Sequence, residues 1–329
     1  MTAPIHLFDL PHDEARRLLG SGAPVFMFVN PVEYHGPHLS LHNDRLISLG
    51  LAGDLHARLA RTRVDLPFLV GADLEIGIDP APGPGSRHTP YALARELVRE
   101  ACRALCELGA TEVVLMTFHG APLHNLVLEA GAEVCREMGA KALVPMHLLL
   151  EDMLLLTDPS PYAPAVAHVD DQAARERLLS SLRTDFHAGF FESSLTLHYA
   201  PDSVSECIGS LPPCPEVTPD PSLQLLSKAA QLVGRTVFAN ELAFAAIGRG
   251  WGEMRPFYGY TSEPAHAAAS AGQFFAKIIV DRFAAATMAV LHGGAAAPQP
   301  VLRWVETLSL GGRLSGHDLS MDQVFSPST

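Results

Sequence analysis

Residues 24–30, PVFMFVN, run apolar without a break between a proline and a polar loop. A strand with one face in water alternates, so a continuous run predicts a strand covered on both faces, as in a parallel or mixed sheet. Similar short runs stand at 66–71, 111–117 and 142–146. Between them the spacing turns helical over 12–20, 45–62, 91–108 and 123–138. In 45–62, Leu46, Leu49, Leu55 and Leu59 fall in register. In 91–108 the predicted apolar stripe is Leu93, Leu97, Ala101 and Leu108, with Arg and Glu on the other face and Gly109 as the stop. Strand–helix alternation of this kind predicts an α/β protein, a three-layer α/β/α sandwich with helices on both faces of a mostly parallel central sheet.

Residues 264–290 are Ala-rich and carry Phe274, Ile278 and Phe283, which predicts one long packed helix. The Pro-rich stretch 200–221 reads as a long loop rather than a domain linker, because too little chain follows it to build a strong second core. The expectation is a single domain over 1–329 with a long loop or insertion at about 200–258. Net charge is −13, with 23 basic against 36 acidic residues and no Lys/Arg run. That argues against a nucleic-acid partner. The cysteines at 102, 106, 135, 207 and 214 are odd in number and form no CxxC, so reduced thiols are expected, with Cys102 and Cys106 packing as small hydrophobes. The N-terminus lacks the pattern of a signal peptide, and the apolar stretches 142–157 and 264–292 are interrupted by charge. The expectation is a cytoplasmic chain with no membrane span.

Chemistry concentrates at the predicted strand ends, where α/β sheets bind ligands. Directly after the 24–30 strand come Glu33, His35, His38, His42 and Asp44. Carboxylates and imidazoles in one short loop are a donor set for a divalent transition metal. Glu33 and His35 lie on one side of an extended segment, Gly36-Pro37 provides a turn, and Asp44 has two oxygens with which to bridge two ions. After 111–117 comes Thr117-Phe118-His119-Gly120, followed by His124 and Asn125, which read as pocket residues or as a helix N-terminus. The third segment is Asp185–Ser194. In it, His187 suits general acid–base work near neutral pH, and Glu192 suits a metal or a water. Ser193 and Ser194 have no G-x-S-x-G around them and are expected to cap a helix. Tyr34, His38, His124, Asn125 and Phe190 are the candidate substrate contacts.

Together these segments resemble the creatininase (creatinine amidohydrolase) family. The family pattern E-Q-H-G-P-H-L-P-x-x-x-D stands here as Glu33-Tyr34-His35-Gly36-Pro37-His38-Leu39-Ser40-Leu41-His42-Asn43-Asp44. Its N-G-H-G-G-N element stands as Thr117-Phe118-His119-Gly120-Ala121 with Asn125 displaced, and its H-A-G-x-x-E-T-S as His187 to Ser194. A late element is matched more loosely by Gly259–Pro264. The resemblance implies a layered α/β/α fold, one or two divalent ions (Zn, Mn or Fe), homo-oligomers and hydrolysis of cyclic amides or N-formyl groups of small molecules. It implies Glu33, His35, Asp44, His119 and Glu192 as metal ligands, with Asp44 bridging, and His187 as the acid–base or substrate-orienting group. Glu192 is a second candidate for the proton transfer.

Two departures bear on the substrate. The creatinine-hydrolysing members carry H-Y-E at the strand end, whereas Gly120 and Ala121 follow His119 here. Neither Trp251 nor Trp304 falls where those enzymes place the aromatic walls of their pocket. Creatinine itself is therefore not the expected substrate, and loops 71–90, 147–170 and 206–258 are expected to set specificity. The alternatives are a lyase or isomerase on the same fold, or a binding protein without turnover.

Overall fold

The computed structural model describes residues 3–63, 65–313 and 319–327. Its centre is a five-stranded sheet in the order β1-β3-β2-β4-β5, formed by β1 (Ile5–His6), β2 (Val25–Asn30), β3 (Leu69–Glu75), β4 (Glu112–Met116) and β5 (Lys141–Leu143). Every pairing in it is parallel. Each residue of β2 is buried, as its unbroken apolar run requires. Helices α2 (Asn43–Ala60), α7 (Phe190–Tyr199) and α10 (Ala269–Leu291) pack together, while α3 (Tyr91–Leu108) packs on α4 (Pro122–Glu137), giving the outer layers. The chain leaves β2 for β3 on one side and then crosses to β4 on the other. Such a switch in direction opens a crevice at the carboxyl ends of the strands.

Several elements differ from expectation. The strand predicted at 66–71 runs over Leu69–Glu75, because Pro67 cannot donate to a ladder. The strand predicted at 142–146 covers Lys141–Leu143, and Pro145 caps helix α5 (Met146–Leu155) instead. In α3 the buried stripe is Tyr91, Ala94, Val98, Cys102 and Leu105, while Leu93 and Leu97 face solvent. That helix meets α4 at Gly131, where an added Cβ would lie 2.8 Å from Cys102 Sγ and from Val98 Cγ1. A contact this close selects small residues and leaves the leucines outside.

After α6 (Gln172–Ser181), the segment expected as a loop or insertion at 200–258 is largely helical. Short 3-10 turns at Pro201–Ser203 and Glu206–Ser210 lead into a helical pair, α8 (Pro221–Leu232) and α9 (Thr236–Gly252). No helix among the described residues is long and apolar enough to cross a membrane.

Candidate metal centre

The loop leaving β2 turns at Gly36, whose φ of +64° suits glycine. It places Glu33 and His35 at the carboxyl end of this central strand, and Asp44 joins them from the first turn of α2. His119 arrives from the loop after β4, and Glu192 from the first turn of α7. All five side chains are nearly or fully buried. His119 Nδ1 lies 2.8 Å from Glu33 Oε2 and 3.7 Å from Asp44 Oδ2. His35 Nε2 lies 3.4 Å from Asp44 Oδ1 and 3.2 Å from Glu192 Oε1. Asp44 thus turns one oxygen to each of two donor sets, Glu33–Asp44–His119 and His35–Asp44–Glu192. A tetrahedron with ~2.1 Å bonds has edges of about 3.4 Å, which is the scale of these separations.

Hydrogen bonds aim each donor. His35 Nδ1 bonds Glu33 O at 3.0 Å and His119 Nε2 bonds Ile78 O at 3.0 Å, leaving Nε2 of the first and Nδ1 of the second turned to the cluster. Ala81 N donates to Glu33 Oε1 at 2.5 Å. Asn43 Nδ2 donates to Glu192 Oε1 at 2.8 Å and Ala188 N to Oε2 at 2.5 Å, while Thr196 Oγ1 donates to Asn43 Oδ1 at 2.6 Å. Glu33 Oε2, His35 Nε2 and Asp44 Oδ2 are buried without a hydrogen-bond partner. Buried polar atoms are otherwise almost always paired. Orphaned carboxylate and imidazole atoms converging on one point fit a divalent ion, and a nitrogen–oxygen set without thiolate suits Zn, Mn or Fe.

The protein's own charges act as a substitute. Burial would raise the Glu33 carboxyl, but His119 and His35 hold it down at about 2. Burial would lower His119 and His35. Glu33 and Asp44 nevertheless lift His119 to about 9, and Glu192 and Asp44 hold His35 well above its ordinary value.

His187 stacks on His35 with ring centres 4.3 Å apart. Its Nε2 bonds Tyr34 O at 2.9 Å, and its Nδ1 faces Glu33 Oε1 at 3.9 Å. Burial and the neighbouring His35 charge push it down to about 3, so it is neutral with a lone pair on Nδ1. Glu192, expected also as a proton carrier, has Oε1 held by Asn43 and Oε2 by Ala188. That leaves it suited to holding an ion and not to moving protons.

The remaining predicted residues are placed around this centre. His38 Nε2 bonds Ala188 O and Ser193 Oγ, tethering a turn in which Ala188 takes the strained φ of +48°. His124 is buried against Thr117 Oγ1 and Val29 O, edge-on to His119. Asn125 Nδ2 donates to His119 O at 2.9 Å and fixes that loop. Tyr34 contributes its carbonyl, and its ring packs over Gly83 and Gly259. Phe190 is not at the centre; it is fully buried, edge-on to Phe275. His42 turns away to pair with Glu75 at 3.2 Å. Ser193 and Ser194 lie inside α7 rather than at its cap, and Asp185 instead receives Phe191 N at 2.8 Å. Sequence reasoning missed Asn43, whose place beside Asp44 was its only signal, and Trp251, whose ring sits 5.0 Å from that of His187.

Fold and donor set define an α/β/α protein with a candidate centre for divalent ions. The chain belongs to the creatininase family, since the family model for creatinine amidohydrolase matches residues 9–287. Among solved structures, a creatininase mutant of Zn–Zn type is 18% identical with a TM-score of 0.57, covering 87% of this chain and 98% of that one. A manganese creatininase gives the same identity, TM-score and coverage. A creatinine amidohydrolase structure is 20% identical with a TM-score of 0.57, covering 86% of this chain and 96% of that one. No curated protein matches the chain. Family membership and the buried donor cluster together support a metal-dependent hydrolase.

Proposed function

We propose that the chain is an amidohydrolase that cleaves a C–N amide bond, of a cyclic amide or an N-formyl or amide group, in a small molecule, using one or two Zn, Mn or Fe ions. The observation that carries this reading is Asp44, whose two oxygens face two separate donor sets. A divalent ion held there polarises a carbonyl and lowers the pKa of water from 15.7 towards ~7. Glu33, Asp44 and His119 would hold one ion, and His35, Asp44 and Glu192 would hold a second where two are bound. His187 does the proton work. Its Nε2–H is tied to Tyr34 O, so Nδ1 is the position that would accept a proton from water and pass it to the leaving nitrogen, once a bound ion displaces the His35 proton that helps hold this ring's pKa down. Trp251 and Tyr34 fix that ring in place. Gly120 and Ala121 stand where creatinine-hydrolysing members have Tyr and Glu, which favours an amide other than creatinine. A cytoplasmic homo-oligomer without a nucleic-acid partner completes the proposal.

The test is metal per chain by mass spectrometry on wild type and Asp44→Ala, followed by an amide panel read by product mass. One or two ions lost in the variant, and products heavier by one water, are expected. A chain that takes up no ion on reconstitution, or a product of unchanged mass, overturns the reading.

A further inference from the structure

The side of α8 that faces away from α9 is apolar and, among the described residues, uncovered. Leu223 and Ala230 pack against Ala239 and Leu242 of α9. Opposite them Leu225, Leu226, Leu232 and Val233 are 69%, 51%, 88% and 73% exposed, and at the start of α9 Val237 and Phe238 are also exposed, Phe238 with its ring edge-on to Trp304. The sets Leu225–Ala229–Leu232 and Leu226–Ala229–Val233 repeat at three, four and seven residues, the spacing of a seam between two helices. Six side chains so exposed present on the order of 600 Å² of apolar surface, the top of the range for the largest patch on a monomer. Doubled across a two-fold axis, that area reaches the ~1,200 Å² at which specific interfaces begin, before any polar rim is added.

The charge pattern points to the occupant. Residues 221–240 hold Lys228 and Arg235 and no Asp or Glu, in a chain of net charge −13. Two copies of so acidic a chain repel one another least across this face. We propose that a second copy of the chain docks here, α8 running antiparallel to its mate with the two-fold axis at Ala229. An isologous contact then sets Leu225 against the partner subunit's Val233, and Leu226 against the partner subunit's Leu232. Because α9 carries Trp251 to His187, the docked pair also braces the helix that walls the candidate centre.

The experiment weighs the full chain at micromolar concentration by light scattering, beside Leu226→Glu/Val233→Glu. Wild type is expected as an even-numbered assembly, and the double variant at half its mass. Because the glutamates could unfold the hairpin, Ala229→Cys provides a second readout under mild oxidation. It is expected to cross-link into a dimer, while Gln224→Cys, exposed off the seam, is not. A monomeric wild type, an unchanged mass in the double variant, or equal cross-linking at the two positions overturns the proposal. Unchanged mass is also what a different protein partner on this face would give.

Discussion

Raising the pH of the chelated protein is expected to lower its melting temperature, and loading the site with ion to abolish that sensitivity. Without an ion, protons on His119 and His35 balance the buried carboxylates of Glu33, Asp44 and Glu192. Against burial, Glu33 and Asp44 raise His119 from 6.5 to about 9. A group whose folded pKa exceeds its unfolded value stabilises fully below the unfolded value and loses that contribution as pH rises through the folded one. The window is therefore from about 6.5 to about 9. For His119 the shift corresponds to about 3 kcal/mol. The low pKa of Glu33 is the same interaction seen from its partner and adds nothing. In a chain of this length such a loss lowers Tm by roughly 4 °C. Calorimetric melts between these pH limits, with chelator and with Zn, measure it. Other titrating groups are common to both forms, so the difference between the two curves is the observable. If chelated and loaded protein shift in parallel, the reasoning is refuted.

Asn43→Ala frees Glu192 Oε1 and is expected to weaken ion affinity ~10–100-fold by calorimetric titration, with little change in fold. His187→Ala is expected to keep its ions while kcat falls ~10²–10⁴-fold on whichever amide the panel identifies, and an equal loss of bound metal would make His187 a ligand instead. Trp251→Ala removes a buried ring and is expected to cost ~3–5 kcal/mol in denaturant melts, with Trp251→Phe costing much less. Gly272→Ala would place a Cβ 1.9 Å from Ser194 O, forcing α10 off α7, and is expected to lose at least ~1–3 kcal/mol.

What was legible in the sequence follows physical contrast. The unbroken run of β2 and the strand–helix alternation could be read because burial on both faces leaves no polar residue to confuse the pattern. The phase of α3 could not, because at the close approach to α4 the buried residues are Ala94, Val98 and Cys102, smaller than the exposed Leu93 and Leu97. Helices α8 and α9 were hidden for another reason. Apolar residues occur on the packed side and the open side of α8 alike, so no single amphipathic face emerges. In the site, the donors were legible because carboxylates and imidazoles are conspicuous where strands end. Asn43 was not, since a neutral amide beside Asp44 looks like any helix start. Trp251 was not, because only the tertiary path of α9 brings residue 251 to residue 187.

The cluster draws its donors from residues 33 to 192, a span holding most of the sheet. An ion on Glu33, Asp44 and His119, or on His35, Asp44 and Glu192, would close long stretches of chain, and clips of that kind remove the most freedom from an unfolded chain. The order of synthesis then matters. Glu33, His35 and Asp44 leave the ribosome early, His119 only after β4, and Glu192 after every strand of the sheet. The complete donor cluster cannot form on a nascent chain until α7 is made, so any ion on the second donor set would be loaded late in maturation.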